Sequence, residues 1–294
     1  MLTKRAVIFG GNGQDGFFLK KLLESKNIIS ISVSRNKADL IGDVSCFNFV
    51  KNTIIQNNPN YIFHFAADST IDQDSILLNN ESIVKGTLNI LEVCRLFSKK
   101  SKIFISGSAI QFVNNGHPIS EKDSFEISNA YSLMRTQSVL TARYYRDTFN
   151  IQVFVGYLFN HDSEMRSGRH INQKIVQTLN RIKNGSNEKL HIDDPEYRKE
   201  FNYAGDIVEA MWKLINQDKI HECVIGCGKT YSIMDWIKTC SEIVDLDYKK
   251  NIVYNNKIGS TKILVSNPET IYSIGWKPKK TFYDLAEIMM RSKT

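Results

Sequence analysis

Tyr131 and Arg135 stand four residues apart in the stretch NAYSLMRTQSV. On a helix that spacing puts both side chains on one face. A cation held beside a phenol favours its ionised form, so the pair has the makings of a proton-transfer tyrosine. An ordinary amphipathic helix would read the same over this stretch. A second stretch, FGGNGQDGFFLKKLL, spaces Gly10, Gly13 and Gly16 three apart. Such a turn lets bare backbone approach a pyrophosphate and aims the free N–H groups of a helix N-terminus at the anion. With Gln14 and Asp15 between its last two glycines, it is the candidate cofactor turn.

The elements that must position these residues follow from the periodicity. Short β-rich apolar runs (RAVIFG, IISISVS, YIFHFA, KIFISG, IQVFVGY) alternate with helical stretches over the first 160 residues. That alternation predicts a Rossmann-type, doubly wound α/β fold, with a parallel sheet covered by helices on both faces. The glycine turn directly follows the first strand and opens the first helix, the context that dinucleotide binding requires. The second strand ends at SVSRNK. Where an acidic residue would accept ribose hydroxyls, this chain has Ser34, Arg35 and Lys37, so NADP(H) is the expected cofactor. Asp43 is placed to reach the adenine amino group. After Asn160 the pattern loosens. We read residues 1–160 as the cofactor domain, with 203–226 returning to it, and 161–202 with 227–294 as a smaller, interleaved α/β substrate lobe.

Composition narrows the classes. At 294 residues, 42% hydrophobic and 23% charged, the chain has the balance of a globular protein with a sizeable core. No apolar run approaches a membrane span, and the start lacks the features of a secretory signal, so no membrane partner and a cytoplasmic location are expected. The five cysteines and six histidines show no metal-type spacing, so no metal is expected and the thiols read as buried. The net charge of +7 is spread without a basic stripe interleaved with aromatics, which argues for small anionic ligands and no nucleic acid.

With the glycine turn and Tyr131 in place, the chain resembles the extended short-chain dehydrogenase/reductase family, in particular its GDP-mannose 4,6-dehydratase-like nucleotide-sugar branch. GYLFNHDSEMRSG (156–168) is similar to a segment of that branch, as are YAGDIVEAMW and IGWKPKKTF. The resemblance implies a Ser/Thr, Tyr, Lys catalytic set. It puts Ser108 in the hydroxyl position and Tyr131 in that of the tyrosine, and Arg135 where the family has lysine. It also implies Ala66 and Ala67 of HFAADST beside the cofactor, and Asn160, Lys174 and either Arg198 or Lys199 on a nucleotide sugar, GDP-linked by preference. Arginine keeps the cation but is larger and planar. A second departure is Ile110, where the dehydratases carry a glutamate that moves the proton in water loss.

Those departures lead to an expected NADPH-dependent reductase of a nucleotide-linked 4-keto-6-deoxy sugar, in activated-sugar biosynthesis. One alternative is a 4,6-dehydratase or epimerase using another base, with Glu121 and Asp123 the nearest carboxylates. A second is a non-catalytic NADP-binding protein. The resemblance further implies a homodimer paired through long helices.

Overall fold

The computed structural model describes residues 3–68, 75–254 and 263–292. Ser69 and Thr70, the end of the HFAADST motif, lie outside them. The first half runs β1 (Arg5–Phe9), α1 (Gln14–Ser25), β2 (Ile29–Ser34), β3 (Leu40–Ile41), α2 (Phe47–Asn57) and β4 (Tyr61–His64). It continues with α3 (Ile76–Asn79), which passes through a π turn (Asn80–Lys85) into α4 (Gly86–Phe97), then β5 (Lys102–Ser108), α5 (Ala130–Phe149) and β6 (Val153–Leu158). The second half holds β7 (His161–Asp162), α6 (Ile171–Lys183), β8 (Leu190–Ile192), β9 (Arg198–Glu200), β10 (Asn202–Tyr203), α7 (Ala204–Ile215) and β11 (Glu222–Ile225). β12 (Thr230–Ser232), α8 (Ile233–Ile243), β13 (Ile252–Tyr254), β14 (Ile263–Leu264), α9 (Glu269–Ser273) and α10 (Phe282–Arg291) complete it.

Seven strands form one parallel sheet in the order β11-β6-β5-β4-β1-β2-β3. Its strands are apolar on both faces because helices cover both. Val7 and Phe9 face the cluster under α2, α4 and α5, whereas Ala6 and Ile8 face the cluster under α1 and α7. The order reverses between β1 and β4, so a crevice opens beyond their carboxyl ends. The glycine turn leaves from β1 at that place.

The smaller lobe gathers α6, α8 and α10 around Trp236, which stacks on Phe201 with ring centroids 5.1 Å apart. These helices form where the sequence pattern loosens after Asn160. Two of them announce their starts with capping residues: Ser232 Oγ accepts the Asp235 N–H, and Thr281 Oγ1 that of Asp284. Ile271 and Trp276, which sequence groups with this lobe, pack in the α1–α7 cluster instead. The Trp276 indole donates to the Asp206 carbonyl, tying that segment down.

Candidate active site

The glycine turn fits its role for steric reasons. Gly10 has φ +87°, and a β-carbon there would lie 2.6 Å from the Ala66 nitrogen. At Gly16 a β-carbon would lie 2.6 Å from Gly11 Cα, so the helix could not settle on the turn. Helix α1 begins after Gly13 with no side-chain cap, which leaves first-turn N–H groups for an anion. Above the turn is a groove of about 320 Å³ lined by Gly10, Gly13, Ser34, Arg35, Asp43, Ala66 and Ala67. Arg35 is exposed and forms no salt bridge among the described residues. Asp39, an acidic residue just past β2 that sequence reasoning passed over, is turned away. Its carboxylate accepts the Ser32 N–H and Oγ–H and pairs with Lys20. The cradle therefore fits a dinucleotide with its pyrophosphate on α1.

A second groove, about 330 Å³, adjoins the first through Gly10 and Gly13 and is lined by Ser108, Ile110, Tyr131, Arg135, Asn160, Arg166, His170 and Leu264 among others. Two of these residues arrive on a well-determined helix start. Asn129 caps α5, its side chain accepting the Ser132 N–H while Ser132 returns the bond. Tyr131 and Arg135 follow in the first two turns. Arg135 Nε donates to the Tyr131 hydroxyl at 2.9 Å. One terminal nitrogen of the same guanidinium donates to the Ser106 carbonyl and hydroxyl at 2.7 and 2.8 Å. Arg135 is only 5% exposed and has no carboxylate partner among the described residues. Burying an uncompensated cation is costly, so Ser106 is part of what holds it. Sequence reasoning missed Ser106, although its place two residues before Ser108 on a strand puts both on one face.

Ser108 closes β5. Its hydroxyl oxygen accepts the Gln111 N–H, and the Gln111 side chain in turn accepts the Ser108 N–H. The Ser108 hydroxyl proton is left to donate into the groove. Ile110 lines the same groove. Neither carboxylate suggested as a substitute base does so. Glu121 accepts from the Val224 N–H and the Thr270 hydroxyl, and Asp123 caps the Ser120 N–H. Glu121 is thus a tether between segments and not a freely solvated loop residue.

The segment from Phe159 to Asn172 forms the opposite wall. Asn160 Oδ1 is buried and without a partner among the described residues, an acceptor waiting for a donor. Arg166 pairs with Asp162 at 2.6 Å, and Asn172 donates to the other oxygen of that carboxylate. His170 is held down to about 4 by burial and by Arg166. Lys199, 6% exposed, is lowered to about 8, with burial the main cause and Asp162 opposing it. The wall is therefore electropositive around one carboxylate. Between the two cations that sequence left open, Lys199 lies in this field. Arg198 points away, donating to the Thr230 carbonyl and standing 3.7 Å from Asp235. Lys174 is exposed on α6 and does not line the groove. Gln14 and Asp15 reach across with their side chains to this wall: Ser163 Oγ donates to Gln14 Oε1, and Asp15 meets His161 at 3.0 Å. Arg166, His161 and His170 were missed as individual site residues, although all but His170 fall in the quoted GYLFNHDSEMRSG stretch.

Among the described residues, no group of three or more histidine, cysteine, aspartate or glutamate side chains could hold a metal ion. No helix there is long and apolar enough to cross a membrane.

A family model described as GDP-mannose 4,6 dehydratase matches residues 7–289. GDP-mannose 4,6 dehydratase 1 of Arabidopsis thaliana is 24% identical over 322 residues, covering 98% of this chain and 89% of that protein. Among solved structures, dTDP-glucose 4,6-dehydratase of Bacillus anthracis in complex with NAD is similar at a TM-score of 0.86 and 17% identity, over 98% of this chain and 97% of that one. RMD of Pseudomonas aeruginosa complexed with NADPH gives 0.86 and 16%, over the same shares. The chain belongs to the GDP-mannose 4,6-dehydratase family of extended short-chain dehydrogenases/reductases, a family of nucleotide-sugar dehydratases and epimerases.

Proposed function

We propose that the chain interconverts the C4 hydroxyl of a nucleotide-linked hexose and its ketone, as an epimerase does, and that it does so without eliminating water. The observation that supports this is the Tyr131–Arg135 contact, in a groove that Ser108 and Ile110 also line. A nicotinamide dinucleotide, when bound, supplies the hydride acceptor and donor. The chain's own part is proton handling. Because the Arg135 N–H points at the Tyr131 oxygen, the phenol's own proton is directed away from the guanidinium. Tyr131 then takes or returns the proton of the sugar O4, while Ser108 donates to that oxygen. Arg166 suits the diphosphate and the unpartnered Asn160 Oδ1 the sugar hydroxyls, with buried Lys199 adding positive charge behind that wall and a GDP-sugar favoured.

The names of the relatives support dehydratase or epimerase chemistry ahead of the reductase expected from sequence. Loss of water between C5 and C6 needs a group that moves a proton there. Ile110 cannot, and Glu121 and Asp123 are engaged elsewhere. NADPH-dependent reduction of a 4-keto-6-deoxy sugar is the second reading, favoured by the apolar Ile110 and Leu264 walls, which suit a methyl group. Exposed Arg35, with the Asp39 carboxylate engaged by Ser32 and Lys20, supports NADP(H) over NAD. Leu88, Leu140 and Tyr144, exposed on α4 and α5, support a homodimer.

The test uses purified protein in D₂O with GDP-, UDP- and dTDP-hexoses. A C4 epimer with no deuterium at C5 and no net change in cofactor absorbance is expected. Consumption of NADPH only on supply of a 4-keto-6-deoxy sugar would select the second reading. A 4-keto-6-deoxy product from GDP-mannose alone would overturn both.

A further inference from the structure

His161 lines the second groove, and both of its ring nitrogens face acceptors. Nδ1 is 2.8 Å from the Phe159 carbonyl oxygen, and Nε2 is 3.0 Å from an Asp15 carboxylate oxygen. A carbonyl and a carboxylate have no proton to give, so each nitrogen must carry one. The ring is buried on the protein side, 8% exposed. Asp15 lies in the first turn of α1, where an anion from a ligand would dock. A bare carboxylate at that place would repel a pyrophosphate.

We propose that His161 is held as an imidazolium whose charge cancels the Asp15 carboxylate at the mouth of α1, admitting the cofactor pyrophosphate. The same pair is a positioning device that fixes Asn160 and Arg166 relative to the glycine turn. This rests on the reading that a dinucleotide occupies the first groove, and not on which sugar chemistry follows. Three further bonds support the mechanical half. The His161 carbonyl accepts from Gln14 Nε2 at 3.4 Å and from Arg166, and Ser163 Oγ donates to Gln14 Oε1 at 2.8 Å. Through the parallel pairing of His161 with Asn202, the link reaches β10 and the smaller lobe.

The charges facing the ring are few. Asp15 comes from α1, and Arg166, paired with Asp162, from the segment after β7. Lys199 stands behind Asp162 on β9. Burial pulls His161 down, but Asp15 outweighs it and the net direction is up from 6.5. Burial pushes Asp15 up, yet His161 and then Arg166 bring it to about 2. Arg166 stays charged throughout, so the balance changes as pH rises through His161 and through Lys199 behind Asp162, and only His161 touches Asp15.

The experiment measures NADH and NADPH dissociation constants by nicotinamide fluorescence between about pH 7 and pH 9.5, above the titration of the 2′-phosphate. In the native protein the affinity is expected to fall by about tenfold across that range as Asp15 loses its partner. Asp15→Asn should bind about as tightly at high pH as at neutral pH, because no carboxylate is left to unmask. It retains Lys199, so a small residual slope belongs to that residue. His161→Gln should bind weakly at every pH. Histidine side-chain NMR of the unliganded protein supplies a readout independent of binding. One imidazole, lost in His161→Gln, should keep both nitrogens protonated at pH 7.5. If that variant does not fold, the Asp15→Asn comparison and the native titration still decide. A neutral His161 at pH 7.5, or an unchanged slope in Asp15→Asn, overturns the proposal.

Discussion

Helix α5 presents arginine to tyrosine twice, and the two places behave differently. Near its start Arg135 bonds the Tyr131 hydroxyl with no carboxylate in reach among the described residues. Two turns further on, Arg143 bonds the Tyr157 hydroxyl at 3.0 Å, but there Glu222 accepts from Arg143, Arg146 and Tyr157 together. In the second cluster the phenol proton is committed to the carboxylate at 2.7 Å. Burial pushes the Tyr157 hydroxyl well above the usual tyrosine range, and the Glu222 charge adds to this. The cluster joins α5 to β6 and β11 and can do no proton chemistry. At the first place the missing carboxylate leaves both the cation and the phenol proton facing a groove. The same residue pair is a lock where an acid completes it and a candidate catalyst where none does.

The comparison is broken most severely at Tyr131. Tyr131→Phe keeps the ring and loses the proton carrier, so turnover on a proven substrate should drop by about 10²- to 10⁴-fold. Cofactor affinity and melting temperature should stay near native. Turnover within a fewfold of native would show that both tyrosines are structural.

At the lock, the large effect is on stability. Glu222→Ala leaves two guanidinium groups and a buried phenol without their acceptor, and should cost about 2–4 kcal/mol in urea unfolding, with partial exposure of Arg143 holding it below the fully buried case. Burial raises the Glu222 carboxyl, but its three donors outweigh that and the net shift is downward. A carboxylate so lowered stabilises the fold above its unfolded value, about 4.3. The contribution fades as pH falls through the folded value, so the native–variant difference should shrink under acid. A pH-independent difference would mean that packing, not charge, is at work.

Exchanging the cation sharpens the contrast with a smaller effect. Arg135→Lys retains the charge but cannot reach Tyr131 and both Ser106 oxygens with one planar fork. Turnover should fall by about three- to tenfold, with a stability loss of about 1 kcal/mol from the unmet Ser106 acceptors. Higher activity than native would instead mark arginine as a tolerated substitute in a pocket that suits lysine. The smallest effect belongs to Tyr157→Phe, which should lower stability by about 1 kcal/mol and leave turnover unchanged.

Much of this was legible in the sequence because it depends on neighbours along the chain. Strands buried on both faces and helices with apolar stripes declare the doubly wound sheet. The glycines between β1 and α1 declare the anion cradle, and a four-residue spacing declares the Tyr131–Arg135 contact that Asn129 then places at a helix start. The chemical meaning of Ile110 also needs no coordinates, since an alkyl side chain moves no proton. Tertiary structure decided what depends on pairing between distant segments. Arg198 and Lys199 are adjacent in sequence and equally cationic, yet β9 turns successive side chains to opposite faces, and its register alone puts Lys199 beside Asp162. Asp15 and His161 are separated by 146 residues, and no local pattern announces their bond. Glu121 and Asp39 look like free carboxylates in the sequence and are engaged in the fold. Backbone periodicity is fixed by the chain's own short-range sterics, whereas the partner of a buried charge is fixed by which loops the sheet order brings together.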